Sequence, residues 1–317
     1  WAGRDFALPG PVHAGMSNSA PCLFQLPVSA MHFDHNETLD LALQRNVRDA
    51  LMEDIGRCDW TAQLVPAGRR VRAHVVAKEP AVVCGRPWFD ACVKALDPAA
   101  SVDWPVTEGQ AVPAGTVVCT IESDARALLG AERPALNFLQ MLSGVAGVTR
   151  RYVEAIAGAS PNPRGCAVLD TRKTMPGLRQ AQKYAVRTGG GRNHRMALWD
   201  GILIKENHIA AAGGIAQALA AAKALNAGVG VQIEVESLDE LRQALDAGAT
   251  NVLIDDFSLH DMGEAVALNA GRALLEVSGG VDLESIRTFA ATGVDRISIG
   301  KLTKDVRAVD YSMRVLG

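Results

Sequence analysis

Between Arg164 and Lys205 the chain carries nine lysines and arginines against two acids, Asp170 and Asp200. The cations are Arg164, Arg172, Lys173, Arg179, Lys183, Arg187, Arg192, Arg195 and Lys205. A charge run of this kind is ordinarily a solvated helical face. Two features set this one apart: it contains Gly189-Gly190-Gly191, and Lys205 directly follows the apolar Ile202-Leu203-Ile204. A lysine at the end of a buried strand faces a pocket more often than open water. Arginine forks and lysine point charges together suit carboxylates and phosphates. The segment therefore reads as the wall of an anion pocket.

Other residues complete that chemistry. Ser278-Gly279-Gly280 and Gly300 each follow a short apolar run. Glycine there lets phosphate oxygens approach backbone N–H groups, although an ordinary strand-to-helix turn also favours it. Glu234 and Asp255 lie on neighbouring runs and suit Mg²⁺, which takes one or two protein carboxylates and shares its other positions with substrate oxygens and water. The competing reading pairs them with Lys173 or Lys205 as buried ion pairs. His194, between basic neighbours, reads as a hydrogen-bond donor to an anion rather than a general acid. Asp256 falls on the opposite face of its strand end from Asp255.

These residues need elements to hold them. Apolar runs at Ala167–Leu169, Ile202–Ile204, Ile233–Val235, Val252–Ile254, Leu274–Val277 and Ile297–Ile299 read as six strands. Ala- or Leu-rich helical patterns separate the later ones, at roughly the shortest comfortable βα spacing. The fold class is α/β: an irregular, open α/β barrel with an N-terminal α+β sandwich domain. Polar residues fall regularly just after the runs, where such barrels place their sites. Thr171, Arg172 and Lys173 follow the first, Lys205 the second, Asp255 the fourth, Ser278 the fifth and Gly300-Lys301 the sixth. Upstream, the spacing of Leu39, Leu43, Val47, Leu51 and Ile55 predicts a helix. Alternation over Arg70–Lys78 predicts a strand. Short segments follow at 81–84, 88–96, 117–121 and 125–129, and the first domain ends near residue 132, before a long helix. The division expected is 1–30 an N-terminal extension, 31–141 the sandwich, 142–301 the barrel, and 302–317 a C-terminal segment packing on the sandwich.

Net charge is −3, so nothing global points to nucleic acid or an anionic membrane. The six cysteines show no metal-ligand or staple spacing and suit a reducing compartment, taken as the cytoplasm. No apolar run approaches the length of a membrane span. Residues 1–15 read as sequence added ahead of a start at Met16, with a transit peptide the weaker alternative.

The blocks Glu132-Arg133-Pro134-Ala135-Leu136-Asn137, Asp170-Thr171-Arg172-Lys173-Thr174-Met175-Pro176-Gly177 and Asn193-His194-Arg195 carry a resemblance, as do Leu203-Ile204-Lys205-Glu206-Asn207-His208 and Glu276-Val277-Ser278-Gly279-Gly280. From about residue 35 onward the chain resembles the quinolinate phosphoribosyltransferase family, also called nicotinate-nucleotide pyrophosphorylase (carboxylating). The resemblance implies transfer of phosphoribose from phosphoribosyl pyrophosphate to quinolinate with loss of CO2, using Mg²⁺, on the de novo route to NAD. It implies a homodimer or a higher assembly, in which Arg133 reaches the neighbour's site. Arg172, Lys173, His194, Arg195 and Lys205, with Thr171, would hold quinolinate carboxylates and nearby phosphate oxygens. Glu234 and Asp255 would serve the ribose and metal, and Ser278, Gly279, Gly280 and Gly300 the 5-phosphate. Lys173, Lys205, Glu234 and Asp255 would be the catalytic set. Gln232 stands where the family often has a glutamate, and Ala197 replaces a frequent glycine. The alternatives are a related pyrophosphorylase with another acidic acceptor, a Schiff-base aldolase using Lys205, and a non-catalytic phosphate-binding module.

Overall fold

The computed structural model describes residues 36–316, so the expectations for residues 1–30 and Cys22 lie outside it. Helix α1 (Leu39–Ile55) starts where Thr38 accepts a hydrogen bond from the Leu41 N–H, an N-cap that satisfies an otherwise orphaned donor. Strand β1 (Arg70–Ala77) follows, with Ala73, Val75 and Ala77 turned inward as its alternation requires. Next come β2 (Ala81–Val82), α2 (Arg86–Leu96), β3 (Ser101–Asp103), β4 (Ala111–Val112) and β5 (Val117–Asp124). Asp124 ends β5 and caps the next helix, accepting from the N–H groups of Arg126 and Ala127. That helix, α3 (Ala125–Ala155), runs 31 residues, or roughly 46 Å. It begins seven residues before the expected domain end, because the Asp124 cap comes before the apolar stripe the sequence displays. The segment 125–129 is thus its first turns.

Leu128, Leu136, Leu139 and Leu142 of α3 are buried against α2 and the N-terminal strands. Each buried leucine contributes about 2 kcal/mol. Ser143 fastens three parts of the chain at one point: its hydroxyl accepts from the Cys84 N–H, and Tyr311 donates to it. One residue on, a Cβ on Gly144 would lie 2.2 Å from the Arg307 carbonyl oxygen. Gly144→Ala is therefore expected to destabilise the fold by about 1–3 kcal/mol through overpacking against backbone, read as a lower urea midpoint with unchanged slope.

The remaining elements alternate strand and helix. They are β6 (Ala167–Leu169), α4 (Arg179–Thr188), β7 (Gly201–Ile204), α5 (Glu206–Ala212), α6 (Ile215–Ala224), β8 (Gly230–Val235) and α7 (Leu238–Asp246). Then follow β9 (Asn251–Asp255), α8 (Leu259–Asn269), β10 (Leu274–Ser278), α9 (Ile286–Ala291), β11 (Arg296–Ser298) and α10 (Lys301–Lys304). All six expected strands form one parallel sheet ordered β6-β11-β10-β9-β8-β7. Strands β6 and β7 are its unpaired edges, so the barrel stays open. The chain leading into β7 leans on β6 through a parallel Leu169–Arg192 bridge. Strand β12 (Tyr311–Leu316) then returns to pair antiparallel with β1. The N-terminal sheet is ordered β12-β1-β5-β3, with β2 and β4 as a separate pair.

Register determines which side chains face inward. Leu203 pairs with Gln232, Glu234 with Leu253, Asp255 with Ser278, and Ser298 with Leu169. Because strand side chains alternate, the same face carries Gly230, Gln232 and Glu234 on β8. It likewise carries Asn251, Leu253 and Asp255 on β9, and Arg296, Ser298 and then Gly300 on β11. The interior is therefore stratified, with the polar layer at the carboxyl ends.

Candidate active site

A cavity of about 450 Å³ opens at the carboxyl ends of the parallel strands. Thr171, Arg172, Lys173, His194, Arg195 and Lys205 line it, as do Glu234, Asp255, Ser278, Gly279, Gly280 and Gly300. Arg133 does not: it is exposed on α3. Four of the nine cations of the 164–205 segment face this cavity, and the other five go elsewhere. Lys183 is fully buried, Arg164 pairs with Asp295 at 2.8 Å, and Arg187 donates to Asn193 at 2.7 Å. Arg179 donates to the Thr174 hydroxyl, and Arg192 lines a different cavity.

The two arginines are held close without being neutralised. Arg195 donates from Nη1 to the Gly201 carbonyl at 2.9 Å. Burial, and then the charge of Arg172, pull its guanidinium below the ordinary arginine value. The Nε of Arg172 is buried with no hydrogen-bond partner. A buried guanidinium N–H left unsatisfied costs free energy unless an acceptor arrives. Two facing like charges with a spare donor make a socket for an anion.

Lys205 and Glu234 form a bidentate contact, with Nζ 2.8 and 2.7 Å from the two carboxylate oxygens. This is the ion pair weighed as the alternative to metal binding. Asp255, on the adjacent strand, has no side-chain hydrogen bond or ion pair among the described residues. A lysine held as a charged partner of Glu234 has no free lone pair, which argues against the Schiff-base alternative. Gly279 and Gly280 have φ of +96° and +59°, a conformation glycine adopts without cost. A Cβ on Gly300 would lie 3.0 Å from Cδ of Lys173, so that glycine keeps the lysine and the seat adjacent.

His194 is committed on both ring nitrogens. Nδ1 accepts from the Arg195 N–H at 2.7 Å, and Nε2 lies 2.9 Å from Oε1 of Gln232. Gln232 in turn donates to Glu276 at 3.0 Å. This chain forms the cavity floor. Glu276 is 1% exposed, and its Oε1 has no hydrogen-bond partner but lies 3.5 Å from Nε2 of His194. Glu276, Ser298 and Lys304 line the cavity and were not singled out from the sequence, whereas Lys301, also in the lining, follows the sixth apolar run beside Gly300. Strand alternation could have found two of them, since Glu276 lies two residues before Ser278 and Ser298 two before Gly300.

Behind the cavity, Asp170 and Lys183 are wholly buried and 2.6 Å apart. Lys183 also donates to the carbonyls of His194 and Arg195, both at 2.9 Å. Asp170 accepts from the His194 N–H at 2.9 Å and from the Asn193 amide. Burial pushes Asp170 up and Lys183 down, and the contact between them opposes both shifts. The pair fixes the backbone that carries His194 and Arg195.

An open parallel barrel with a cationic cavity beside a glycine seat at its carboxyl face is the site of an enzyme acting on anionic, phosphate-bearing substrates. Comparison with known proteins specifies which. Residues 59–143 match the model for the quinolinate phosphoribosyl transferase N-terminal domain, and residues 145–314 that for its C-terminal domain. The chain is 39% identical over 282 residues to nicotinate-nucleotide pyrophosphorylase (carboxylating) of Mycobacterium leprae, covering 86% of this chain and 96% of that one. It is 37% identical over 276 residues to a probable nicotinate-nucleotide pyrophosphorylase (carboxylating) of Bacillus subtilis, covering 87% and 94%. The solved nicotinate-nucleotide pyrophosphorylase from Francisella tularensis superposes with a TM-score of 0.83 at 44% identity, covering 89% of this chain and 98% of that one. The chain belongs to the quinolinate phosphoribosyl transferase family.

Proposed function

We propose that the carboxyl-end cavity joins quinolinate to the ribose of phosphoribosyl pyrophosphate, releasing pyrophosphate and CO2 and leaving nicotinate mononucleotide. One observation carries the reading: the unneutralised Arg172–Arg195 pair, with its spare buried donor, opens onto the same space as the Ser278-Gly279-Gly280 seat. Arg172, Lys173, His194, Arg195 and Lys205, with Thr171, hold the dianionic pyridine so that its nitrogen faces the anomeric carbon. Ser278, Gly279, Gly280 and Gly300 take the 5-phosphate.

The nitrogen lone pair forms the new bond to the anomeric carbon as the carbon–oxygen bond to pyrophosphate breaks. Glu234 and Asp255 stabilise the positive charge that develops on the ribose. The pyridinium then accepts the electron pair released when the adjacent carboxylate leaves as CO2, and a proton from solvent replaces it. No protein nucleophile takes part. Among the described residues no cluster of three or more His, Cys, Asp or Glu could enclose a cation. A Mg²⁺ ion would therefore rest on the unpartnered Asp255, with Glu234 within reach once Lys205 turns to substrate, and take its other ligands from pyrophosphate oxygens. When bound it neutralises the leaving group.

The exposed Arg133, which does not line the carboxyl-end cavity, serves the site of a second copy in a homodimer. No helix of the described residues is long and apolar enough to cross a membrane. Among the described residues five cysteines are free thiols, which suits the reducing cytoplasm.

Incubation with carboxyl-labelled quinolinate and phosphoribosyl pyrophosphate is expected to release one labelled CO2 per pyrophosphate. Pyrophosphate release with nicotinate or another acid, and none with quinolinate, would transfer the reading to a related acceptor.

A further inference from the structure

The last of the five cations left over from the catalytic wall has a location of its own. Arg192 lines a second cavity, of about 400 Å³, at the opposite end of the barrel. Its other walls are the first inward residues of the strands: Gly201 of β7, Gly230 of β8, Asn251 of β9 and Arg296 of β11. Arg296 lies on the same inward face as Ser298 and Gly300, so its guanidinium belongs to the barrel interior. Among the described residues neither Arg192 nor Arg296 has a side-chain hydrogen bond or ion pair. Arg195 reaches the same cavity, its Nη1 resting on the Gly201 carbonyl. Three guanidiniums thus meet one carboxylate, Asp200, whose Oδ2 already accepts from the Met196 N–H at 2.7 Å. Gln232, His194 and Glu276 form the partition between this cavity and the catalytic one.

We propose that this amino-end cavity is a second anion site, taking a small dianionic phosphate between Arg192 and Arg296, and that it is coupled to the reaction through Arg195. The chemistry is that of paired guanidinium forks, which suit a tetrahedral oxyanion. The coupling is geometric. Arg195 and His194 line both cavities, so an anion at the amino end competes for a guanidinium that otherwise serves the carboxyl end. Such a competition between separated sites is a coupling free energy, and its effect on affinity saturates once the second site is full. Free phosphate and the phosphate of a nucleotide share this chemistry, and inorganic phosphate is the probe that isolates it.

Two measurements test the proposal. With phosphoribosyl pyrophosphate saturating, inorganic phosphate is expected to raise the KM for quinolinate to a plateau of roughly fivefold or more, where simple competition would rise without limit. The Arg192→Gln/Arg296→Gln variant is expected to keep its basal kcat within about twofold and to lose that plateau. An unlimited rise, or an identical plateau in the variant, would overturn the coupling. Calorimetry serves independently of turnover, and so separates this proposal from the assignment of the reaction. A Lys173→Ala/Lys205→Ala enzyme, with its turnover disarmed but its Ser278-Gly279-Gly280 seat intact, is expected to bind two phosphates per chain, and adding the two glutamine substitutions should remove one of them. Should the disarmed enzyme bind no phosphate, or bind it equally after the glutamine substitutions, the second site does not exist.

Discussion

Replacing Arg172 by methionine is expected to lower kcat/KM for quinolinate by about 10³-fold while leaving thermal stability unchanged or slightly higher. The loss follows from the two charge-assisted hydrogen bonds a guanidinium fork makes to a carboxylate, together about 4 kcal/mol in a water-poor cavity. The unusual half of the expectation is the stability. In the free enzyme the Nε of Arg172 is buried without a partner, and its charge bears on Arg195. Methionine keeps the aliphatic stem while removing an unsatisfied donor and a like charge. The backbone carbonyl of Arg172, which accepts from the Thr174 N–H at 3.0 Å, is untouched. Arg172→Lys should recover only part of the loss, because a point charge cannot reproduce a fork. Steady-state kinetics and a thermal melt on one preparation decide the matter. Near-normal turnover, or a melting temperature lowered by several degrees, would mean that Arg172 is a structural residue rather than a substrate grip.

That trade between stability and function bears on what the sequence could reveal. Strand ends were legible because six apolar runs each stop at a polar residue or, in the last, at Gly300 before Lys301, and all six form the parallel sheet. The residues two positions inside those ends, Glu276 and Ser298, required the alternation to be carried one step further down each strand. The cationic segment was legible as a total and not as a distribution. Nothing in the local sequence distinguishes Lys183, fully buried on Asp170, from Lys173, exposed at the cavity mouth. Only the helical register of α4, which buries Lys183 on the side of Gln182 and Val186, separates them. Strands β3, β4 and β12 were missed because they are short or largely exposed and take their partners from distant segments, β12 from β1. The start of α3 was misplaced because its cap, Asp124, lies at the end of a strand whose apolar pattern had already stopped.

The Asp170–Lys183 pair should give the largest effect on stability. Asp170→Ala is expected to destabilise the fold by about 3–5 kcal/mol, because it strands a wholly buried ammonium and removes the acceptor of the His194 N–H and the Asn193 amide. Against a typical total of about 5–15 kcal/mol, that loss places a substantial share of the protein near unfolding at physiological temperature. An apolar replacement of both partners, Asp170→Leu/Lys183→Met, separates charge from architecture. Removing both charges removes the desolvation cost, so much of the stability should return. Activity should not return with it. The carbonyls of His194 and Arg195 would lose the ammonium that joins them, and the His194 N–H its carboxylate. Arg195 would then sit on a slack segment, and the KM for quinolinate should stay raised at least about tenfold, since small misplacements of a binding group cost that much or more. Urea denaturation beside steady-state kinetics on the single and double variants resolves the two roles. A double variant with normal stability and normal KM would show that the buried pair only fills space. A stable double variant with a poor grip on quinolinate would establish it as the device that aims Arg195.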